Sequence, residues 1–376
     1  MTEPDRQICT HCIMDASDPE IVFDDQGVCC HCHHYAYRAA HDLHLDDAGR
    51  KRLELFVKQV QDDGRGKDYD CLIGVSGGVD SSMVAYHVKR LGLRPLAVHL
   101  DNGWDAELAV CNVERLLKTL DIDLYTYVLD WEEFKDIHLS FLKASVANSE
   151  IPTDHAIIAI LYKLAATKGI RYIISGGNIV TEAIMPDSWM YDPKDWRHIK
   201  AIHRRFGKVP LKTFPRLRLF DWAYNTFVRR VMFFPILNYI AYDKEASIQT
   251  LEREVGWKRY PAKHFESIYT RFFQAYILVK KFGIDKRRAH YSTLINSGQM
   301  TREEALAEIV KPPYPSPELE RQDYEYIIKK FGLTEREFEE IMNSPVKNFS
   351  EYPNNFFWFQ KLNFIVKYAK KIATFN

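Results

Sequence analysis

The stretch Ser76-Gly77-Gly78-Val79-Asp80-Ser81-Ser82 constrains this chain more than any other, because of what flanks it. The run Asp70-Cys71-Leu72-Ile73-Gly74-Val75 before it is short, apolar and bounded by polar residues, as a buried parallel strand should be. The run Ser82–Leu91 after it reads as a helix, with Gly92 as its stop signal. Two glycines let the backbone turn tightly and approach a ligand closely. Ser81 and Ser82 add hydroxyl donors beside the free N–H groups of the first helical turn, and the helix dipole adds positive potential there. The sequence therefore predicts an anion site at a strand-to-helix turn. It is not a Walker loop, because the Lys-Ser/Thr pair and its spacing are missing.

Strand and helix signals then alternate. Further strands are expected at 96–100, 124–128 and 171–175, and helices at 105–120, 132–148 and 154–168. This alternation predicts an α/β fold with a doubly wound parallel sheet and ligands at the C-terminal strand ends. Three polar strand ends, at 76–82, 101–103 and 175–182, would face one crevice. At 376 residues the chain has room for more than one domain. The expected division is a metal module at 1–35, a helical linker at 36–68, the α/β core at 69–184, and a helical, aromatic-rich substrate and partner region at 185–376.

Five of the seven cysteines lie before residue 33. Cys9-x-x-Cys12 and Cys29-x-x-Cys32, sixteen residues apart, form two knuckles that predict a closed, structural Zn²⁺ site. Cys30 is surplus, and the histidines nearby make a Cys₃His shell the alternative. Cys71 and Cys111 read as small buried hydrophobes. Net charge is zero, with 51 basic and 51 acidic residues, which argues against nucleic acid as the main partner. The first residues carry no apolar signal segment, and Val231–Leu237 is too short to span a bilayer, so a cytoplasmic protein without a membrane span is expected.

The loop at 76–82 resembles the PP-loop of the ATP pyrophosphatase superfamily, an adenine nucleotide alpha hydrolase-like fold. The resemblance implies that Ser76, Gly77, Gly78, Val79, Asp80, Ser81 and Ser82 hold the pyrophosphate of ATP. It implies that His99, Asp101 and Asn102, at the end of the second strand, hold adenosine, and that Gly176 and Asn178 complete the ATP site. Asp80 is the candidate Mg²⁺ ligand and, through that ion, a candidate catalytic residue. Asn178 and Glu182 stand where other superfamily members carry further acidic groups for the metal.

The pairing of the cysteine knuckles with this loop and with a polar block at 256–305, ending Ser297-Gly298-Gln299-Met300-Thr301-Arg302-Glu303-Glu304-Ala305, resembles the N-acetyl sugar amidotransferase family of surface-polysaccharide biosynthesis. That resemblance implies an ATP-dependent ligase that adenylates the acetamido oxygen of a nucleotide-activated N-acetyl sugar. Ammonia would then replace AMP to give an acetamidino sugar for lipopolysaccharide, O-antigen or a related glycan. The ammonia would come from a separate glutaminase and cyclase-like pair. In the polar block, Lys263, His264, Glu266 and Arg271 are the candidate catalytic residues: Lys263 at the α-phosphate, His264 or Glu266 as proton acceptor, and Arg271 on an anionic part of the sugar nucleotide. The two rivals are a tRNA-thiolating enzyme, which would need a reactive cysteine pair near the loop, and a zinc-ribbon interaction module with a degenerate nucleotide fold.

Overall fold

The computed structural model describes residues 6–261, 265–359 and 361. Its strands are β1 (Cys71–Gly74), β2 (Pro95–Asp101), β3 (Asp123–Val128), β4 (Tyr172–Ser175) and β5 (Met232–Pro235). They form one sheet in the order β3-β2-β1-β4-β5, and every pairing is parallel. Helices α1 (Cys30–Asp42) and α2 (Asp47–Asp63) precede the sheet. The first four strands are joined by α3 (Val79–Arg90), α4 (Glu107–Leu120), α5 (Trp131–Ala144) and α6 (Ile151–Lys168). Between β4 and β5 lie α7 (Ile179–Glu182), α8 (Trp196–Phe206) and α9 (Leu219–Ala223). After β5 come α10 (Lys244–Val255), α11 (Ile268–Phe272), α12 (Lys286–Asn296), α13 (Arg302–Ile309), α14 (Pro317–Phe331) and α15 (Glu335–Asn343).

The period-two alternation of the strands explains why helices cover both faces of the sheet. Cys71, Ile73, Ala97, Ile174 and Phe234 pack toward α2, α3, α4 and α10. Leu72, Leu96, Val98 and Ile173 point the other way, onto Ile160, Leu161 and Leu164 of α6 and onto Trp222. Each Leu, Ile, Val or Phe among them contributes about 1.5–3 kcal/mol when fully buried. A third core lies off the sheet. It joins the buried cysteines of the N-terminal module to aromatic residues of α5, α11, α14 and α15.

These cores revise the expected division of the chain. The sheet does not end at 184, because β5 pairs with β4 from within the region expected to be helical and aromatic-rich. Its sequence is the short apolar run that read only as too brief for a membrane, and such runs do not declare strand or helix by periodicity. Nor are residues 36–68 a linker. Leu53, Phe56, Val57 and Val60 of α2 belong to the core that covers β1.

The order of connection makes β1 the switch point. The chain runs outward from β1 through β2 to β3, then returns to place β4 on the other side of β1. Loops after β1 and β4 therefore diverge and leave a crevice at their C-terminal ends.

Candidate active site and metal centre

The turn from β1 to α3 is held in an uncommon shape. Gly77 has φ of +82°, and a Cβ there would lie 2.7 Å from the Ala109 carbonyl oxygen. That carbonyl and the left-handed backbone both demand glycine. The Gly77 carbonyl accepts hydrogen bonds from Trp257 Nε1 at 2.9 Å and the Tyr260 hydroxyl at 3.1 Å. Asn112 fixes the same segment, donating to the Lys258 carbonyl and accepting from its N–H. Ser76 and Ser81 sit hydroxyl to hydroxyl at 3.2 Å. Gly78, as the N-cap of α3, offers no side-chain acceptor to the N–H groups of the first turn. Gly176 lets the end of β4 approach, since a Cβ there would lie 3.2 Å from the Asp80 carbonyl carbon.

Two lobes open on either side of this turn and share Ser76, Ser81, Glu182 and Glu266. The first, of about 580 Å³, is lined by Gly78, Val79, Asp80, Gly176 and Arg259, among others. The second, of about 640 Å³, reaches past His99, Asn102 and Asp105 to Asp154, Lys286 and His290. Arg259 is paired with Glu245 at the mouth of the first lobe. Tyr242 donates its hydroxyl to Asp80 Oδ1. Burial and the Asp80 charge push the Tyr242 phenol up, so it remains a donor. Asp80 and Glu182 offer hard oxygen ligands beside the loop, the donor set a magnesium ion takes.

In the second lobe, His99 bridges the Val75 carbonyl at 2.9 Å and Asp105 at 3.1 Å. Burial opposes its charge, but the Asp105 carboxylate and the Val75 carbonyl hold it above the ordinary histidine range. Asp154, in the first turn of α6, is pushed up to about 7 by burial and by the Glu150 charge, with Lys286 opposing. Nothing in the sequence motifs pointed to Asp154, Tyr242, Trp257 or Tyr260. Their only signal was membership of polar or aromatic stretches.

Glu266 reaches the loop through a device the sequence does not announce. Asp105 and Ser267 form an antiparallel bridge, with Ala106 N–H on the Glu266 carbonyl and Ile268 N–H on the Trp104 carbonyl, each at 2.9 Å. The turn after β2 is thus stitched to the entry of α11, and Glu266 lines both lobes.

Other expected residues serve the fold. The Ser82 hydroxyl is wholly buried, away from both lobes, because α3 turns that face into the core. Asn178 is buried as the cap of α7, accepting from Thr181 N–H at 2.8 Å and donating to the Gly176 carbonyl. Asp101 closes an Asx turn on Gly103 N–H and does not line the second lobe, whereas its neighbour Asn102 does. Arg271 gives two 2.6 Å hydrogen bonds to Asp323, which also receives the Tyr314 hydroxyl. Its guanidinium also lies over Phe265, so the expected hold on a sugar nucleotide is replaced by a buried ion pair. Lys263 and His264 lie outside the described residues.

The four knuckle cysteines converge. Cys9–Cys32, Cys12–Cys29 and Cys29–Cys32 sulfurs are 3.9, 3.6 and 3.7 Å apart, and all four Sγ atoms lie within 4.8 Å of one another. A tetrahedron with metal–sulfur bonds of about 2.3 Å has edges of about 3.8 Å, so the spacing fits one tetrahedral ion. His31 and His33 face Asp18 and Asp24 instead, each at 2.8 Å, which favours the Cys₄ shell over the Cys₃His alternative. Arg302 holds the Cys9 and Cys12 carbonyls, and Ser292 accepts from Ile13 N–H, which docks the module on α12 and α13. Cys71 opens β1 at the end remote from the loop, and burial pushes its thiol up, so it is no reactive partner for thiol chemistry.

Sheet order, loop and crevice together define an α/β protein with a parallel sheet, a glycine loop at its switch point, an N-terminal cysteine module and a C-terminal helical region. Residues 266–364 match the family described as LPS biosynthesis protein WbpG-like, C-terminal domain, in agreement with the surface-polysaccharide resemblance of the motifs. No curated protein matches the chain. Among solved structures, the chain is similar to the NH3-dependent NAD synthetase of Campylobacter jejuni subsp. jejuni, with a TM-score of 0.27 and 20% identity, covering 35% of this chain and 58% of that one. It is also similar to the NMN synthetase of Francisella tularensis, with a TM-score of 0.36 and 14% identity, covering 77% and 98%. The chain thus spans somewhat over half the length of the first of these, 58%. Among the described residues, no helix is long and apolar enough to cross a membrane.

Proposed function

We propose that this protein is an ATP-dependent amidotransferase that converts the acetamido group of a nucleotide-activated N-acetyl sugar into an acetamidino group, with release of AMP and pyrophosphate. One observation carries the reading. The segment matched to an LPS biosynthesis family begins at Glu266, and the bridge at Asp105 and Ser267 brings that residue against the glycine loop. That contact supports a sugar-binding role for this segment beside the phosphate loop.

The chemistry follows from the arrangement. An amide oxygen is a poor leaving group, so it must first be activated. The amide oxygen attacks the α-phosphorus of ATP, and the bond to pyrophosphate breaks. Uncapped N–H groups of α3, with the Ser76 and Ser81 hydroxyls, receive the charge on pyrophosphate. Asp80 and Glu182 would hold Mg²⁺, which when bound neutralises phosphate oxygens. Ammonia then adds to the imidate carbon, the C–O bond breaks, AMP leaves with the oxygen, and the nitrogen sheds a proton. Glu266 at the loop and Asp154 deeper in the second lobe are the acceptors in reach of the crevice. The adenosine belongs beside Val98, His99 and Asn102 in that lobe. The knuckle metal is zinc in a structural role. Ammonia is delivered by a separate glutaminase and cyclase-like pair.

The test is mass spectrometry of nucleotide-sugar pools incubated with the protein, ATP and ammonium. A product lighter by about 1 Da, the difference between oxygen and an imino group, is expected from a positioned ammonia attack. Glutamine alone should give none. Turnover of glutamine by the single purified chain would refute the separate ammonia source, and absence of AMP in every pool would refute the reading itself.

A further inference from the structure

Outside the crevice, the most conspicuous feature is a basic and aromatic surface on the other side of the β4–β5 connection. From Trp196 to Arg230 the chain carries ten lysines and arginines against one acid, Asp221, although the whole chain is neutral. The backbone of this stretch is pinned inward. Asp136 accepts from the Lys208 and Val209 N–H groups, and Glu133 from those of Lys212, Thr213 and Phe214. With the main chain fixed, the cationic side chains face outward. Arg197, Lys200, Arg204, Arg205 and Arg218 line one groove of about 720 Å³, where Glu351 is the single acid. None of these five makes an ion pair among the described residues.

Apolar side chains project beside the cations. α9 runs directly into a π-helical turn, Tyr224–Val228, and this short rod presents Phe220, Tyr224, Phe227 and Val228 to solvent. Phe220 is 85% exposed. The helical turn at 356–359 adds the exposed Phe356, Phe357 and Trp358, and its Phe359 packs on Trp222 of α9 at 5.6 Å, so the two elements form one surface. Exposed aromatic clusters of this size on a folded chain mark a contact surface. Phe220 stands at the edge of the cationic groove, while Tyr224, Phe227, Val228, Phe357 and Trp358 stand out from the surface and do not line it, which suits insertion better than capture of a protein segment. After Glu351 the sequence has no acid and carries Lys361, Lys367, Lys370 and Lys371 interleaved with Phe364, Ile365, Val366 and Tyr368.

We propose that this surface docks the protein onto an anionic lipid bilayer, with the arginines and lysines at the phosphate headgroups and Phe220, Phe357 and Trp358 entering the interface. Cations that attract acidic headgroups, beside aromatic rings that prefer the interfacial zone, are the two signals reversible membrane binding requires. The surface shares no lining residue with either lobe of the crevice, so docking leaves the crevice open.

The experiment is flotation of the full-length protein with vesicles of phosphatidylcholine alone, or of equal parts phosphatidylcholine and phosphatidylglycerol. Binding should be at least about ten-fold tighter to the mixed vesicles and should weaken as salt rises. The pair Arg204→Glu and Arg218→Glu should abolish it. The pair Phe220→Ser and Phe357→Ser, at exposed positions that leave the melting temperature in place, should weaken it by about ten-fold at unchanged charge. Both pairs should keep wild-type AMP formation without vesicles. Equal binding to the two vesicle types, or no binding, overturns the proposal. So does binding that ignores the aromatic pair, since that is adsorption of charge alone. Poly-glutamate that competes with the mixed vesicles at equal affinity would assign the surface to an acidic protein instead.

Discussion

The cysteine cluster and the glycine loop are both built from short motifs of small polar residues, yet they spend their donors in opposite ways. Around the cluster every group turns inward. The four sulfurs face one point, backbone N–H groups of Cys12, Met14 and Cys29 point at sulfurs, and Arg302 holds the outer carbonyls. At the loop the constraint comes from behind. Trp257, Tyr260 and Ala109 fix Gly77, while the uncapped turn of α3 faces a cavity. A site that closes on its ligand stabilises a fold, and a site that holds donors open toward solvent can exchange ligands and do chemistry. On the proposed function, the contrast separates a structural metal site from a reaction centre.

The largest way to break that contrast is to strip the metal. The purified protein should carry about one zinc per chain, and structural zinc sites contribute on the order of 10 kcal/mol of apparent binding free energy. Chelation, or Cys12→Ser, should lower the melting temperature sharply before it changes AMP formation in the surviving folded fraction. A metal-free protein with an unchanged melting curve would contradict this. Next, Asp80→Ala should cut AMP and pyrophosphate formation by about a hundred- to a thousand-fold, comparable with the loss of one transition-state charge contact, while the Tyr242 hydroxyl it leaves behind should cost only about 1–3 kcal/mol of stability. Normal turnover would remove Asp80 from the site.

Arg271→Ala sharpens the comparison from outside both regions. It leaves Asp323 buried without its partner and should cost about 3–5 kcal/mol, read by chemical denaturation, while KM for the sugar nucleotide stays put. A raised KM with full stability would restore the substrate role expected from sequence. The smallest effect concerns pH. The Asp154 carboxyl is pushed up to about 7, so the folded chain keeps a proton that the unfolded chain has already lost. Its contribution to stability therefore falls as pH rises from about 4 toward 7, and the Asp154→Asn variant should show a flatter stability profile there. The base form fills over the same rise, so a rising limb of kcat/KM near pH 7 should vanish in that variant. A limb that survives would assign the proton to Glu266.

Local patterns were readable and long-range pairings were not. The strand-to-helix turn at 76–82 and the double Cys-x-x-Cys were legible because each is fixed by neighbours in sequence. Four of the strands were legible for the same reason, since apolar runs bounded by turns announce themselves. β5 was not, because Met232–Pro235 has no periodicity to declare its partner. Ser82 and Asn178 sit in the right motif, but the pitch of α3 and the start of α7 decide where their side chains go. Arg271 read as a substrate cation because nothing in its surroundings reveals Asp323, which lies 52 residues on.

The docking of the cysteine module has a consequence for how the chain comes into being. Ile13 meets Ser292 across a separation of 279 residues, and its carbonyl meets Arg288 across 275. Synthesis from the N-terminal side produces the four cysteines long before the helices that seat them. The knuckles, spanning only residues 9 to 32, could close on an ion locally, whereas the contacts to α12 must wait for the whole sheet to be made. Early metal capture would thus shield four thiols from oxidation during the longest interval of the protein's assembly.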